Sequence, residues 1–158
     1  MNGLSLFSGA GIGETYLKDC GVNIVVANEI VEKRANLYRA LNPKCNMICG
    51  DITNDAIFTQ IIKSANGVEF IIASPPCQGM SVAGKNRHQN TMSEDKRNYL
   101  ITYVFDAIEQ LRPNFVLIEN VPMLLKFKMP YNGQLHTIDE ILFEKFGNEY
   151  LIDSKVVD

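Results

Sequence analysis

The segment LSLFSGAGIGE, residues 4–14, joins a short apolar run to glycines at positions 9, 11 and 13. Glycine has no Cβ, so a ligand can approach the backbone closely, and the next helix can begin with its positive dipole end facing that ligand. This pattern indicates an α/β sheet with a ligand site at the end of its first strand. A tight strand-to-helix turn explains the glycines about equally well, because their spacing differs from the Gly-x-Gly-x-x-Gly of dinucleotide folds.

Four further apolar runs follow along the chain, and each predicts a strand. They are NIVVAN (23–28), NMIC (46–49), EFIIAS (69–74) and NFVLIEN (114–120). Helical patterns are found at residues 14–20, 31–41, 55–64, 100–111 and 137–146. This alternation predicts a Rossmann-like α/β fold with a mostly parallel sheet and helices on both faces. The segment 126–134 is expected to be irregular, and residues 150–158 to form a sixth strand.

Length and composition limit the possible functions. The chain has 158 residues, 46% of them hydrophobic and 21% charged, which suits a single globular domain. No apolar stretch approaches the ~20 residues of a membrane span, and we recognise no secretory signal, so a cytoplasmic protein is expected. Four cysteines without paired spacing and two histidines do not support a zinc site, and free thiols are expected.

Ligands of open parallel sheets bind at the carboxyl ends of the strands, so the residues at those ends are candidates for a site. Glu29 follows Gly9 by 20 residues and can accept hydrogen bonds from two vicinal ribose hydroxyls. Asp51 can accept from an exocyclic amine, with Ile30 and Ile52 against an adenine face. Either acid could instead be a helix cap. Together with the glycines they indicate a nucleoside cofactor.

Two further strand-end residues suggest covalent chemistry. Cys77, in SPPCQGMS, follows two prolines, which favours a presented nucleophile over a buried structural thiol. Glu119 follows an apolar run, so its carboxyl is expected to be buried and to hold its proton, as a general acid requires. The alternative for Glu119 is an acid that bonds to backbone amides at the strand end.

These motifs together resemble the cytosine-5 DNA methyltransferases, which transfer a methyl group from S-adenosylmethionine to carbon 5 of cytosine in nucleic acid. The resemblance lies in LFSGAGIGE, NEI, GDIT, SPPCQGMS, RNYL and RPNFVLIENV, which occur in the family's order over almost the whole chain. It implies the S-adenosylmethionine-dependent methyltransferase fold. Residues 1–158 would then be a partial catalytic domain that is incomplete at its C-terminal end.

The resemblance implies roles for individual residues. The S-adenosylmethionine pocket would be formed by Phe7, Ser8, Gly9, Ala10, Gly11, Glu29, Ile30, Asp51, Ile52 and Ser74. Cys77 resembles the nucleophile that adds to carbon 6 of the ring, and Glu119 the group that protonates the ring nitrogen. DNA is the implied partner, and its cytosine would be flipped out of the duplex under the polar loop 78–98. The expected contacts with DNA are Gln78, Ser81, Lys85, Arg97 and Asn120.

The sequence departs from the family pattern in several places. Ile30 stands where many members have an aromatic residue that stacks on adenine. The arginine-containing motif, the target-recognition region and the final helix have no counterpart, and the net charge of −3 does not favour binding to phosphates. We therefore interpret the chain as a fragment, or as one subunit of a split restriction-modification enzyme that needs a second polypeptide.

Three other functions fit parts of the pattern. An exocyclic-amine methyltransferase has a similar proline pair, although an aromatic residue would replace Cys77. A tRNA cytosine-5 methyltransferase would differ mainly in regions that this chain lacks. A non-catalytic module that binds the cofactor is the third possibility. Trapping with 5-fluorocytosine would separate the exocyclic-amine enzymes from the cysteine enzymes, and calorimetry with S-adenosylmethionine would test whether the pocket is competent.

Overall fold

The computed structural model describes residues 1–76 and 96–157. Within them, five parallel strands form one sheet in the order β3-β2-β1-β4-β5. The strands are β1 (Asn2–Leu6), β2 (Asn23–Glu29), β3 (Asn46–Cys49), β4 (Phe70–Ala73) and β5 (Phe115–Ile118). All five strands predicted for the parallel sheet are confirmed, to within one or two residues at each end.

Four α-helices accompany the strands within residues 1–76 and 96–157. They are α1 (Glu32–Leu41), α2 (Asp55–Ser64), α3 (Ile101–Leu111) and α4 (Ile138–Phe146). Asn54 caps α2 by accepting hydrogen bonds from the backbone of Ala56 and Ile57, and Thr137 caps α4 in a capping box with Glu140. The described part of the chain contains no helix long and apolar enough to cross a membrane.

The chain divides into two compact units. The first unit comprises residues 1–76 and 100–119 and contains the parallel sheet with α1, α2 and α3. The second unit comprises residues 77–99 and 120–158. Its described part contains α4 and an antiparallel hairpin of β6 (Lys128–Tyr131) and β7 (Gln134–Thr137).

Helices cover both faces of the sheet in the first unit. Ala35 and Tyr38 of α1 pack against Ala27 and Met47 on one face. On β1, Leu4 and Leu6 point to the opposite face from Ser5, and all three are buried. Right-handed crossovers place α2 and α3 on the face of the sheet opposite to α1, because the chain changes direction along the sheet after β3. The predicted α/β architecture is therefore confirmed.

The sheet has a topological switch point between β1 and β4. The chain leaves β1 towards β2 and β3 on one side, and it returns to β4 and β5 on the other. Ligands of open α/β sheets bind in the crevice beyond the carboxyl ends of the strands at such a point. The segments that begin at Phe7 and Ser74 both start there.

Three predictions about local structure were wrong. Residues 14–20 form two short 3-10 helices, Ile12–Glu14 and Lys18–Cys20, because Gly13 and Thr15 are weak helix formers. The segment expected to be irregular contains the β6-β7 hairpin, whose turn uses the positive φ angles of Asn132 and Gly133. Residues 150–157 contain no strand, because no strand within the described residues pairs with them.

Candidate cofactor and catalytic site

The glycine segment after β1 forms a tight turn. Phe7, Gly9 and Gly11 have positive φ angles of 57°, 57° and 83°. The Gly11 N–H donates to the Ser8 carbonyl at 2.9 Å, which closes the turn. A Cβ on Gly11 would lie 3.0 Å from Cε2 of Tyr38, whereas Gly9 has open space around it. The positive φ angle and the close contact with Tyr38 together make Gly11 the position where glycine is required most strictly.

Glu29 links this turn to the end of β2. Its side chain is only 4% exposed. Oε2 accepts a hydrogen bond from the Gly9 N–H at 2.9 Å, and Oε1 accepts from the Val31 N–H at 2.8 Å. The predicted pairing of Glu29 with the glycine segment is thus a direct contact. Because a carboxylate has about four acceptor positions, both oxygens retain acceptor capacity.

Asn28 is a residue of the site that the sequence reasoning missed. Its side-chain amide donates to the carbonyl oxygens of Ile48 and Gly50, at 3.0 and 3.1 Å. The backbone carbonyl of Asn28 accepts hydrogen bonds from the backbone N–H and the hydroxyl of Ser8. Asn28 therefore joins the segments that follow β1 and β3. The signal in the sequence is a polar residue at the end of a buried strand.

The segment after β3 places Asp51 at the surface and Ile52 in the core. Asp51 Oδ1 accepts from the N–H and the hydroxyl of Thr53, at 2.9 and 2.8 Å, which forms a local turn. Ile52 is buried and Ile30 is 59% exposed. The two isoleucines proposed to face the adenine therefore differ, because Ile52 contributes to the core whereas Ile30 presents a free apolar surface.

The remaining strand ends of the first unit lie at the same edge of the sheet. Leu6 is paired with Asn28 on one side and with Ala73 on the other, and Ala73 is paired with Ile118. The Ser74 N–H donates to the Leu6 carbonyl, and the Glu119 N–H to the Ala73 carbonyl. Backbone pairing thus brings Ser74 and Glu119 to the edge that contains Glu29.

The expected burial of Glu119 was wrong. Its side chain is exposed, and so are those of Phe115 and Leu117 at alternate positions of β5. These three residues share one face of an edge strand, and that face is exposed there. The apolar run before Glu119 reflects a half-buried edge strand and does not place the carboxyl in the core.

Several predicted site residues lie outside the described residues. They are Cys77, Gln78, Ser81 and Lys85. In the described part of the second unit, Arg97 lies exposed on a short 3-10 helix, Lys96–Tyr99. Asn120 accepts a hydrogen bond from the Val121 N–H through its side-chain oxygen.

A half-open cavity of about 480 Å³ lies beside the glycine segment. Ala10, Gly11, Glu14 and Cys45 are among the residues that line it, and Glu29, Ile30 and Asp51 are not. The cavity therefore borders the predicted cofactor pocket at Ala10 and Gly11 but does not reach its Glu29, Ile30 or Asp51. Burial raises the pKa of the Cys45 thiol to about 11, which keeps this cysteine unreactive near neutral pH. Cys20, Cys45 and Cys49 are free thiols.

The sequence and the fold were compared with known proteins. The family model described as C-5 cytosine-specific DNA methylase matches residues 1–158. The type II methyltransferase M1.HgaI of Avibacterium volantium is 51% identical over 158 residues, 99% of this chain and 44% of that protein. The type II methyltransferase M.AquIA of Picosynechococcus sp. is 32% identical over 129 residues, 78% of this chain and 50% of that protein.

The fold also resembles solved methyltransferase structures. A prophage-encoded protein of E. coli, described as a DNA modification methyltransferase, has a TM-score of 0.68 and 27% sequence identity. The match covers 95% of this chain and 38% of that protein. The chain thus spans half the length, or less, of each of these relatives.

Proposed function

The chain belongs to the C-5 cytosine-specific DNA methylase family, and we propose that it provides the cofactor-binding and catalytic part of a DNA cytosine-5 methyltransferase. The observation that carries this proposal is the contact of the buried Glu29 carboxylate with the backbone of Gly9. It joins two of the predicted cofactor segments at the carboxyl edge of the sheet. The proposed cofactor is S-adenosylmethionine, whose sulfonium would supply the activated methyl group.

The residues present fit an adenosine group. The two Glu29 oxygens each accept one backbone N–H and can each accept a further hydroxyl, which suits the vicinal hydroxyls of a ribose. Asp51 lies at the end of the neighbouring strand, where its carboxylate can accept from the exocyclic amine of adenine. The exposed surface of Ile30 offers an apolar contact for the base, in place of the aromatic residue that is usual in the family.

The proposed catalysis needs a nucleophile and an acid. Carbon 5 of cytosine is a poor nucleophile, so the Cys77 thiolate first adds to carbon 6 while Glu119 protonates the unsubstituted ring nitrogen next to the carbonyl. Carbon 5, now enamine-like, would take the methyl group, and the broken sulfur–methyl bond would leave its electron pair on the departing thioether, S-adenosylhomocysteine. A base then removes the carbon-5 proton, the ring nitrogen returns its proton, and the carbon–sulfur bond breaks to regenerate the thiolate.

A further polypeptide region is part of the proposal. The matched part is only 44% of M1.HgaI and 50% of M.AquIA, and the net charge of −3 of this chain is unfavourable for holding DNA. The exposed Phe115, Leu117 and Glu119 on β5 offer that region a surface to cover. Such cover would remove water from Glu119, which general-acid catalysis favours. The region would also contribute target recognition and positive charge.

Covalent trapping tests the proposal. The chain, alone and together with a polypeptide that supplies the proposed further region, is incubated with S-adenosylmethionine and DNA that contains 5-fluorocytosine. Fluorine at carbon 5 prevents the last proton abstraction, so the Cys77 adduct should persist through denaturing electrophoresis. Cys77→Ala should give no adduct, and Glu119→Gln should slow its formation by roughly 10²–10⁴-fold.

The same experiment separates the alternatives. Methylation that proceeds normally in Cys77→Ala would exclude the covalent mechanism. Trapping on tRNA but not on DNA would indicate a tRNA methyltransferase. The exposure of Glu119 favours a non-catalytic module as the second candidate. Binding of the cofactor without any trapping, even in the presence of the second polypeptide, would support that candidate.

A further inference from the structure

A hydrogen-bonded cluster of Ser5, Glu14 and Tyr38 lies beside the glycine segment. The Ser5 hydroxyl donates to one oxygen of the Glu14 carboxylate. The Tyr38 hydroxyl donates to the other oxygen at 2.5 Å. Ser5 and Tyr38 are buried, and Glu14 is partly buried. None of the three belongs to the predicted cofactor pocket.

The cluster connects the elements that flank the proposed cofactor site. Ser5 lies in β1, just before the glycine segment, and Glu14 lies just after it. Tyr38 lies in α1, the helix that begins three residues after Glu29. Glu14 is therefore a shared acceptor that joins both ends of the glycine segment to the helix following Glu29.

Packing supports the glycine segment at Gly11, next to an open cavity. The Tyr38 ring lies against Gly11, where a Cβ would be 3.0 Å from Cε2. Next to this contact, Ala10, Gly11 and Glu14 border the half-open cavity of about 480 Å³. Side chains do not fill that space, so hydrogen bonds must supply the support that close packing gives elsewhere.

We propose that Glu14 is a positioning residue that fixes the glycine segment against Glu29 for cofactor binding. By holding β1, the segment and α1 in one arrangement, it keeps the Gly9 N–H in reach of the Glu29 carboxylate. This inference rests on the proposed function, because the segment is taken to bind S-adenosylmethionine. The role of Glu14 is indirect, since it acts through Ser5 and Tyr38.

Tyr38→Phe and Glu14→Gln test this inference. Tyr38→Phe removes the hydroxyl and retains the ring against Gly11. Glu14→Gln retains one acceptor oxygen, so it should preserve one of the two hydrogen bonds of the cluster. Tyr103→Phe is the matched control, because Tyr103 is a partly buried tyrosine of the same unit that packs edge-on against Phe58, with ring centroids 5.5 Å apart. The probe is S-adenosylhomocysteine, measured by calorimetry well below the unfolding temperature.

Two measurements are combined for each variant. Loss of the Tyr38 hydrogen bond should weaken binding of S-adenosylhomocysteine roughly tenfold, with Glu14→Gln intermediate and Tyr103→Phe unchanged. Backbone hydrogen exchange without the probe should become roughly tenfold faster at Gly9 and Gly11, while exchange in β4 stays at its original rate.

The outcomes distinguish the inference from the proposed function. Unchanged exchange at Gly9 and Gly11 in Tyr38→Phe would overturn the positioning role, and so would equal affinity in all variants. Uniformly faster exchange across the first unit would also overturn it, because that result indicates only general destabilisation. If the original chain does not bind the probe but exchange still accelerates locally, the positioning role stands and the proposed cofactor is wrong.

Discussion

The side-chain amide of Asn28 donates to the carbonyl oxygens of both Ile48 and Gly50, and so holds the end of β3 against β2. β3 is an edge strand of the sheet, and Asp51 directly follows Gly50, whose carbonyl accepts one of these hydrogen bonds. Asn28 thus fixes the strand end from which Asp51 extends. A residue with no predicted contact to the cofactor consequently determines where a predicted cofactor residue lies.

Substitution of Asn28 should destabilise the first unit. Asn28→Ala removes two hydrogen bonds, one buried and one partly buried, and should lower the free energy of unfolding by about 1–3 kcal/mol. Asn28→Asp should cost more, because a buried carboxylate would face two carbonyl oxygens. Urea denaturation followed by circular dichroism measures both. Equal stabilities of Asn28→Asp and the original chain would show that these hydrogen bonds carry little weight.

The glycine segment allows a graded series of alanine substitutions. Gly13→Ala should be nearly neutral, because Gly13 has no positive φ and its Cβ would meet open space. Gly9→Ala should cost about 1–2 kcal/mol, from its positive φ alone. Gly11→Ala combines a positive φ with the contact to Tyr38, so overpacking adds about 1–3 kcal/mol more. Urea denaturation should reproduce this order, and a different order would contradict the described turn.

Asp51 offers a selective test of adenine recognition. Asp51→Asn retains the acceptor oxygen that holds Thr53, and so preserves the turn, but it replaces the other acceptor with a donor. Affinity for S-adenosylhomocysteine should fall roughly tenfold or more, as for a hydrogen bond to a charged group. Calorimetry with the inosine analogue, which lacks the exocyclic amine, provides the control. A loss of the same size with both ligands would exclude the proposed contact between Asp51 and the amine.

Stability should depend on pH through Glu14. Burial raises its pKa above the ordinary value of 4.5, although the hydrogen bonds from Ser5 and Tyr38 oppose this effect. The folded state therefore binds the proton more tightly than the unfolded state does. The resulting stabilisation is complete below pH 4.5 and is lost as pH rises through the folded-state pKa.

Glu14→Gln is the comparison for this pH effect, because glutamine does not titrate. The stability of the original chain relative to Glu14→Gln should fall as pH rises above 4.5. Thermal denaturation at a series of pH values measures this difference. Cys45 and Tyr38 also face Glu14, and Lys18 lies near Cys45, but burial raises the pKa of both Cys45 and Tyr38, so neither titrates in this range. A difference that rises with pH would contradict the stated direction.

The sequence predicted what depends on short-range patterns. Period-two and period-3.6 apolar spacing identified all five parallel strands and α1 to α4, because each buries one or two continuous faces. Glu29 was predicted as a site residue because it follows Gly9 by 20 residues in the sequence and both residues lie at the carboxyl ends of predicted parallel strands. The spacing carried no information about the network of Glu14 and Tyr38, whose residues become neighbours only through tertiary packing.

Glu119 shows the limit of the same reasoning. Four apolar residues before an acid predict burial only when both faces of the strand are covered, and the order of the strands in the sheet decides this. β5 is an edge strand with Phe115 56% and Leu117 47% exposed, so Glu119 is exposed as well. A sequence pattern cannot reveal whether the element that would cover such a face belongs to the same stretch of chain.

The exposed face of β5 should be needed for assembly with the further polypeptide region. Leu117→Ser should change the stability of this chain little, by less than about 1 kcal/mol, because half of the side chain already contacts water. It should nevertheless weaken association with the polypeptide that supplies this further region roughly tenfold or more, since an apolar contact is lost. Leu37→Ser, at a similarly exposed position on α1, is the control and should associate normally.

Sedimentation and the trapping assay together measure this effect. Reduced association should lower the yield of the 5-fluorocytosine adduct in proportion. Glu119 lies on the same face as Leu117, and the bound polypeptide region is proposed to exclude water from both side chains. Equal association of Leu117→Ser and Leu37→Ser would show that the partner region binds elsewhere. Normal association of Leu117→Ser with loss of trapping would instead place Leu117 next to the reacting groups, so the two roles are separable by experiment.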